Sequence, residues 1–165
     1  MQNVSRGAKL SQMKLEEIQA PVLEQLTETS ALMESTLNSD VELINQIRNI
    51  VPISKGKKVR STLLFLLSGA SENNSPHLPA MASSIELIHL ASLIHDDILD
   101  NAELRRGTNT LNHELGNLIS VLGGDFLFVH SLNLMNGVDN PDLLSILLES
   151  TQVMVEGQLQ EIGNN

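Results

Sequence analysis

Apolar residues return along this chain at helical spacing. Between Ser84 and Asp100, Leu87, Leu90, Ala91, Ile94 and Ile98 recur three and four residues apart, the signature of one helix face packed inward. His89, Ser92, Asp96 and Asp100 continue one another on the other side, because residues i and i+4 stack one above the other. The pattern predicts a central helix from about Ala80, with a polar stripe along a mostly apolar body. The same periodicity predicts helices over 9–34, 41–50, 61–70, 117–135 and 143–162. Pro21 marks a start or a kink in the first of these, and Pro52 closes the second. The turn-rich stretch 71–79 and the segment 136–141 read as loops, with Asp142 capping the last helix. Residues 101–110 read as irregular, broken at Gly107. Gly123 and Gly124 lie inside a strongly apolar helix at a cost of about 1 kcal/mol each relative to alanine, so they predict close packing or a kink. With no repeat and no low-complexity tract, the expectation is one all-α helical bundle spanning residues 1–165.

Composition restricts what such a bundle can do. A net charge of −10 and a pI near 4.8 argue against nucleic acid as a partner. There is no cysteine, which excludes disulfides and thiolate metal sites and allows a reducing compartment. Residues 1–10 lack the apolar core of a signal peptide, and the longest apolar run, Leu63 to Leu67, is too short for a membrane span. A cytoplasmic protein without a membrane span is expected. Aromatic residues make up only 2%, so any large apolar cavity must be lined by aliphatic side chains.

Two clusters carry candidate chemistry. Asp96, Asp97 and Asp100 crowd three carboxylates into five residues, which demands a cation or raised pKa values. Mg²⁺ suits them, since it takes oxygen ligands and is commonly held by one or two carboxylates plus substrate phosphates. Arg105 and Arg106 follow closely, and guanidinium binds phosphate oxygens in bidentate fashion. The competing reading is a solvated helix end. The second cluster, Lys55 to Arg60, precedes an apolar helix, where free backbone N–H groups and the helix dipole help to bind an anion; a solvated turn is its competing reading. His77 is assigned nothing, and His113 and His130 are read as structural.

As a set, these motifs resemble the trans-isoprenyl diphosphate synthases, or polyprenyl synthetases. The likeness rests on IELIHLASLIHDDILDNAELRRG ending at Gly107, GKKVR at 56–60, GGDFLF at 123–128 and GQLQE at 157–161, and covers roughly residues 50–162. It implies an isoprenoid synthase-type bundle and Mg²⁺ at Asp96, Asp97 and Asp100. It also implies head-to-tail addition of isopentenyl diphosphate to an allylic diphosphate. Lys57, Arg60, His89 and Arg106 would hold the isopentenyl diphosphate, Arg105 would help hold the allylic one, and Gln158 matches a further substrate-binding position. Asp125 matches a Gly-Asp step and is expected to be a buried, hydrogen-bonded carboxylate. With Phe128 or Leu132 on the next helix as the floor of the pocket, Ala91 and Ser92 stand where bulky aromatic residues limit chain length in the family. Their small size implies a medium or long polyprenyl product.

The sequence departs from the family pattern at Lys55, Lys58 and Ser61, where Gly, Arg and Pro are commoner, and at Asn109, where the family usually has proline. None of the first three removes a required charge. The family's second aspartate-rich motif is also absent, so the bundle is expected to correspond to the N-terminal portion of the fold, working as a homo- or hetero-oligomer. Two alternatives stand beside a synthase: a non-catalytic partner subunit, and a class I terpene cyclase. The basic cluster argues against the cyclase, which has no second diphosphate to bind.

Overall fold

The predicted helices form, with shifted ends. A computed structural model describes residues 13–72 and 75–164; the part of the predicted first helix before residue 13 lies outside them. Helix α1 (Leu15–Gln19) passes through a 3-10 turn at Ala20–Val22, where Pro21 sits, into α2 (Leu23–Thr36). Helix α3 (Glu42–Ile50) ends before Pro52. Helices α4 (Val59–Ala70) and α5 (Leu78–Leu99) precede a minimal hairpin of β1 (Leu104–Arg105) and β2 (Thr108–Asn109). Then come α6 (Leu111–Leu115), α7 (Asn117–Asn136) and α8 (Pro141–Gly163).

Helices α5 and α7 form the central pair. Leu87, Ala91 and Ile94 of α5 and Leu127 of α7 join Met33, Leu37, Ile47, Val51 and Ile53 in the principal core. Phe65 of α4 packs with Val22, Leu26 and Ala82 in a second cluster, and Met135, Val138 and Leu147 anchor the start of α8 in a third. Where the central helices cross, small hydroxyl residues replace bulk. Ser84 Oγ donates to Ser131 O at 2.9 Å and lies 3.0 Å from Ser131 Oγ, both residues being fully buried. Beside them, Ser83 Oγ donates to Thr29 O of α2 at 3.2 Å. Small side chains permit close backbone approach, and each hydroxyl finds the partner that burial requires.

Gly123 and Gly124 allow close packing without a kink, since α7 runs through them unbroken. A Cβ on Gly124 would stand 2.2 Å from His95 Nε2, and one on Gly123 would stand 3.1 Å from Leu111 Cδ2. Two local expectations are corrected, and one short helix is added. The cap of α8 is Asn140, whose Oδ1 accepts from Asp142 N–H at 3.1 Å, with Pro141 at the first helical position that suits it. The segment 101–110 is ordered by a two-residue turn. Arg106 (φ 53°) and Gly107 (φ 82°) both take the positive φ that such hairpins need, so Gly107 shapes the turn rather than merely breaking a helix. Helix α6, one turn long and capped by Thr110, is too short to register as a period in the sequence.

By length and composition alone, α5 and α7 are each apolar enough to cross a bilayer. That differs from the run-length expectation, because their apolar residues are interspersed with serine, glycine and histidine. Here the two are the central pair of the bundle and pack on one another.

Candidate functional site

The aspartates stand at the C-terminal end of α5, and local chemistry fixes that end. Asn101 adopts the left-handed conformation (φ 50°), and Ala102 N–H donates back to Asp97 O at 2.9 Å. With Asn101 N–H on Ile98 O at 3.2 Å, this is the Schellman closure of a helix. Three carboxylates thus crowd the end where the helix dipole is already negative, which sharpens their need for positive charge.

They meet that need differently. Asp97 lies three residues beyond Ile94, on the buried flank, and is 6% exposed. Arg105 Nε donates to its two carboxylate oxygens at 2.9 and 3.0 Å, and Arg105 Nη2 reaches Oδ1 at 2.8 Å. This bond holds the Arg105 guanidinium above its ordinary pKa. Asp96 is half-buried and accepts from the Gln158 amide, which joins α8 to α5. Asp100 is exposed. Asp96 and Asp100 are therefore the accessible oxygen donors, while Asp97 is committed to Arg105. Among the described residues no group of three His, Cys, Asp or Glu side chains gathers as a metal cage. Two hard oxygen donors at i and i+4 still fit Mg²⁺, whose other positions are usually filled by water and substrate phosphate.

Beside this end lies a cleft of about 410 Å³ whose lining includes Lys57, Arg60, His89, Arg105 and Arg106. It brings together the predicted basic residues from three separate stretches of chain. Leu90, Leu93 and Ile94 supply apolar wall, while Glu86 and Asp97 add carboxylates. The basic loop is pinned from several sides. Gln19 Nε2 donates to Lys57 O at 2.7 Å and to Thr62 Oγ1 at 2.9 Å. Lys58, in the left-handed region at φ 46°, turns its Nζ to Ser30 Oγ. Glu86 Oε1 accepts from Ser61 N–H at 3.1 Å and from Ser61 Oγ at 2.7 Å. Burial lowers the pKa of His89, and the nearby Arg60, Arg105 and Arg106 push the same way against Glu86. Burial likewise lowers Lys58.

Other predicted positions fall elsewhere. Ala91 is buried in the principal core, Ser92 donates its Oγ to His89 O of its own helix at 2.8 Å, and Phe128 packs at the core margin. None of the three lines the basic cleft. Asp125 is not buried: its side chain is 58% exposed and lies 3.5 Å from His95 Nε2. His130 packs edge-on against Phe126, and His113 is exposed. Sequence reasoning missed Glu86 and Gln19, which bind the basic loop from other helices. Glu86 carried a signal in its spacing, one turn before His89.

A helical bundle with a carboxylate-bearing helix end beside a basic cleft is the isoprenoid synthase architecture. It superposes on a decaprenyl diphosphate synthase from Rhodobacter capsulatus with a TM-score of 0.84 and 27% identity, covering 91% of this chain and 46% of that one. A polyprenyl synthase from Caulobacter crescentus, solved with calcium and isoprenyl diphosphate, matches with a TM-score of 0.83 and 27% identity over 88% of this chain and 44% of that one. The chain belongs to the polyprenyl synthetase family, whose profile matches residues 41–165. It is 34% identical to the octaprenyl diphosphate synthase of Haemophilus influenzae over 152 residues, which make up 92% of this chain and 46% of that protein. The chain thus spans about half the length of these relatives.

Proposed function

We propose that this chain supplies the first half of a polyprenyl diphosphate synthase site, which joins isopentenyl diphosphate head to tail with an allylic diphosphate. The observation that carries the reading is the basic cleft set against the carboxylate end of α5. Lys57, Arg60, His89 and Arg106 would hold the isopentenyl diphosphate, and Arg105, fixed by Asp97, would present its remaining donors to the allylic one. Asp96 and Asp100 would hold Mg²⁺, with Gln158 orienting Asp96. Mg²⁺ bound there supplies charge stabilisation for the departing diphosphate. The allylic carbon–oxygen bond breaks, the isopentenyl double bond forms the new carbon–carbon bond, and a proton is lost. Positioning and electrostatics are the protein's contribution.

A medium or long product follows from the small side chains at Ala91 and Ser92. Because Ala91 is already packed in the core, phenylalanine there would overpack it. Ser92, half-buried, is the better place to test the product tail. Ser92→Phe should shorten the product, and unchanged length sinks the pocket reading.

A partner-subunit reading gains support from α8. Its Ile146, Val153, Leu159 and Ile162 are each more than half exposed, which suits a face completed by other helices. Incubation with radiolabelled isopentenyl diphosphate, an allylic primer and Mg²⁺, alone and with a second-half chain, tests the readings together. Growth that is lost in Asp96→Ala supports the synthase. Cyclised hydrocarbon supports a cyclase, and silence in both arms supports a non-catalytic subunit.

A further inference from the structure

The cleft that gathers basic side chains also contains the carboxylate of Glu86. On charge alone this is unfavourable, because a second anion opposes a bound diphosphate. Its geometry supplies a different role. Ser61 is fully buried, and as the third residue of α4 its N–H has no intrahelical acceptor. Glu86 Oε1 accepts that N–H at 3.1 Å and the Ser61 hydroxyl at 2.7 Å. One oxygen from α5 therefore satisfies two donors at the start of α4. Glu86 stands one turn before His89 on α5, and Ser61 follows Arg60 directly. The bond ties the backbone bearing Arg60 to the helix bearing His89.

We propose that Glu86 is a positioning residue for anion binding: it holds the start of α4 against α5, so that Arg60 and Lys57 converge with His89. The proposal rests on the diphosphate-binding reading of the cleft and extends it to a residue that acts through Arg60 and Lys57. Lys58, with its Nζ on Ser30 Oγ, and Gln19, bonded to the Lys57 carbonyl, secure the loop's other side. Neither takes over the donors of Ser61.

The sign of one mutational effect tests it. If Glu86 were only a repelling charge, its removal would tighten anion binding. As a positioning group, its removal leaves two buried donors unsatisfied and loosens Arg60. Calorimetric titration of the 165-residue chain with inorganic diphosphate reads the difference. Glu86→Ala should weaken binding about tenfold, the scale of leaving a buried donor unpaired. Glu86→Gln keeps an acceptor oxygen and loses the charge, so it should bind as tightly as wild type or more tightly. Ser61→Ala, which loses only the hydroxyl, should weaken binding about threefold. Should Glu86→Ala fail to fold, the Gln and Ser61→Ala pair decides: retained binding in the first with weakened binding in the second supports the proposal, and any other pairing overturns it. With Glu86→Ala folded, binding as tight as wild type overturns it, and so does a Gln variant as weak as Ala. A wild-type chain that does not bind diphosphate removes the reading of the cleft itself, and the proposal with it. If wild type binds and Glu86→Ala is unaffected, only the role of Glu86 falls.

Discussion

Asp97 and Arg105 form the most consequential pair at the scale of single residues. Breaking a buried pair leaves an uncompensated charge, and exposure of the Arg105 side chain to 37% moderates the cost. Arg105→Met should lower stability by about 2 kcal/mol, read as a shift in urea midpoint. Asp100→Ala, on the exposed helix end, should change it by less than about 0.5 kcal/mol. His89 gives a pH signature. Its pKa is depressed in the fold, so its contribution to stability is complete above the ordinary histidine value and is lost as pH falls through the folded one. An anion in the cleft favours the protonated imidazole, so diphosphate should bind more tightly as pH falls through that same window. A titration series from neutral to mildly acid pH checks this, and His89→Asn should flatten the profile.

At the scale of elements, the carboxylate end of α5 and the basic loop were both legible in the sequence, because each is contiguous. What joins them was not. Asp97 and Glu86 carried readable clues, Asp97 in its spacing from Ile94 on the apolar flank and Glu86 in its place one turn before His89. Gln19, Ser30 and Glu86 bind the loop from helices far away in sequence, and only the packing brings them there. The glycine pair was read as packing or kink, and the structure chooses packing for a specific reason. Gly124 makes room for the His95 ring, which lies 3.3 Å from Val121 O. The two residues should therefore be coupled. Gly124→Ala should stabilise a His95→Ala background by about 1 kcal/mol through helix propensity. With His95 present the gain should shrink or reverse. A double-mutant cycle in thermal or urea unfolding measures the difference.

For the molecule as a whole, burial is uneven. The principal core lies among α2, α3, α5, α6 and α7, while α8 buries only Leu147 and leaves a run of aliphatic side chains exposed. Exposed apolar surface of this extent marks an interaction face. We expect the isolated chain to self-associate and to turn over negligibly. Sedimentation velocity should report species larger than the monomer, and Val153→Glu with Leu159→Glu should shift the distribution toward monomer. Robust elongation by a partner-free monomer would count against this.

The serine crossing between α5 and α7 bears on how the chain opens. Ser84 and Ser131 sit where the central helices approach each other, and the bond between them ends as soon as the helices part. Amide protons flanking this crossing can then meet solvent only when the central pair separates, so they should exchange with deuterium last. Those of α8, held at one end, should exchange long before.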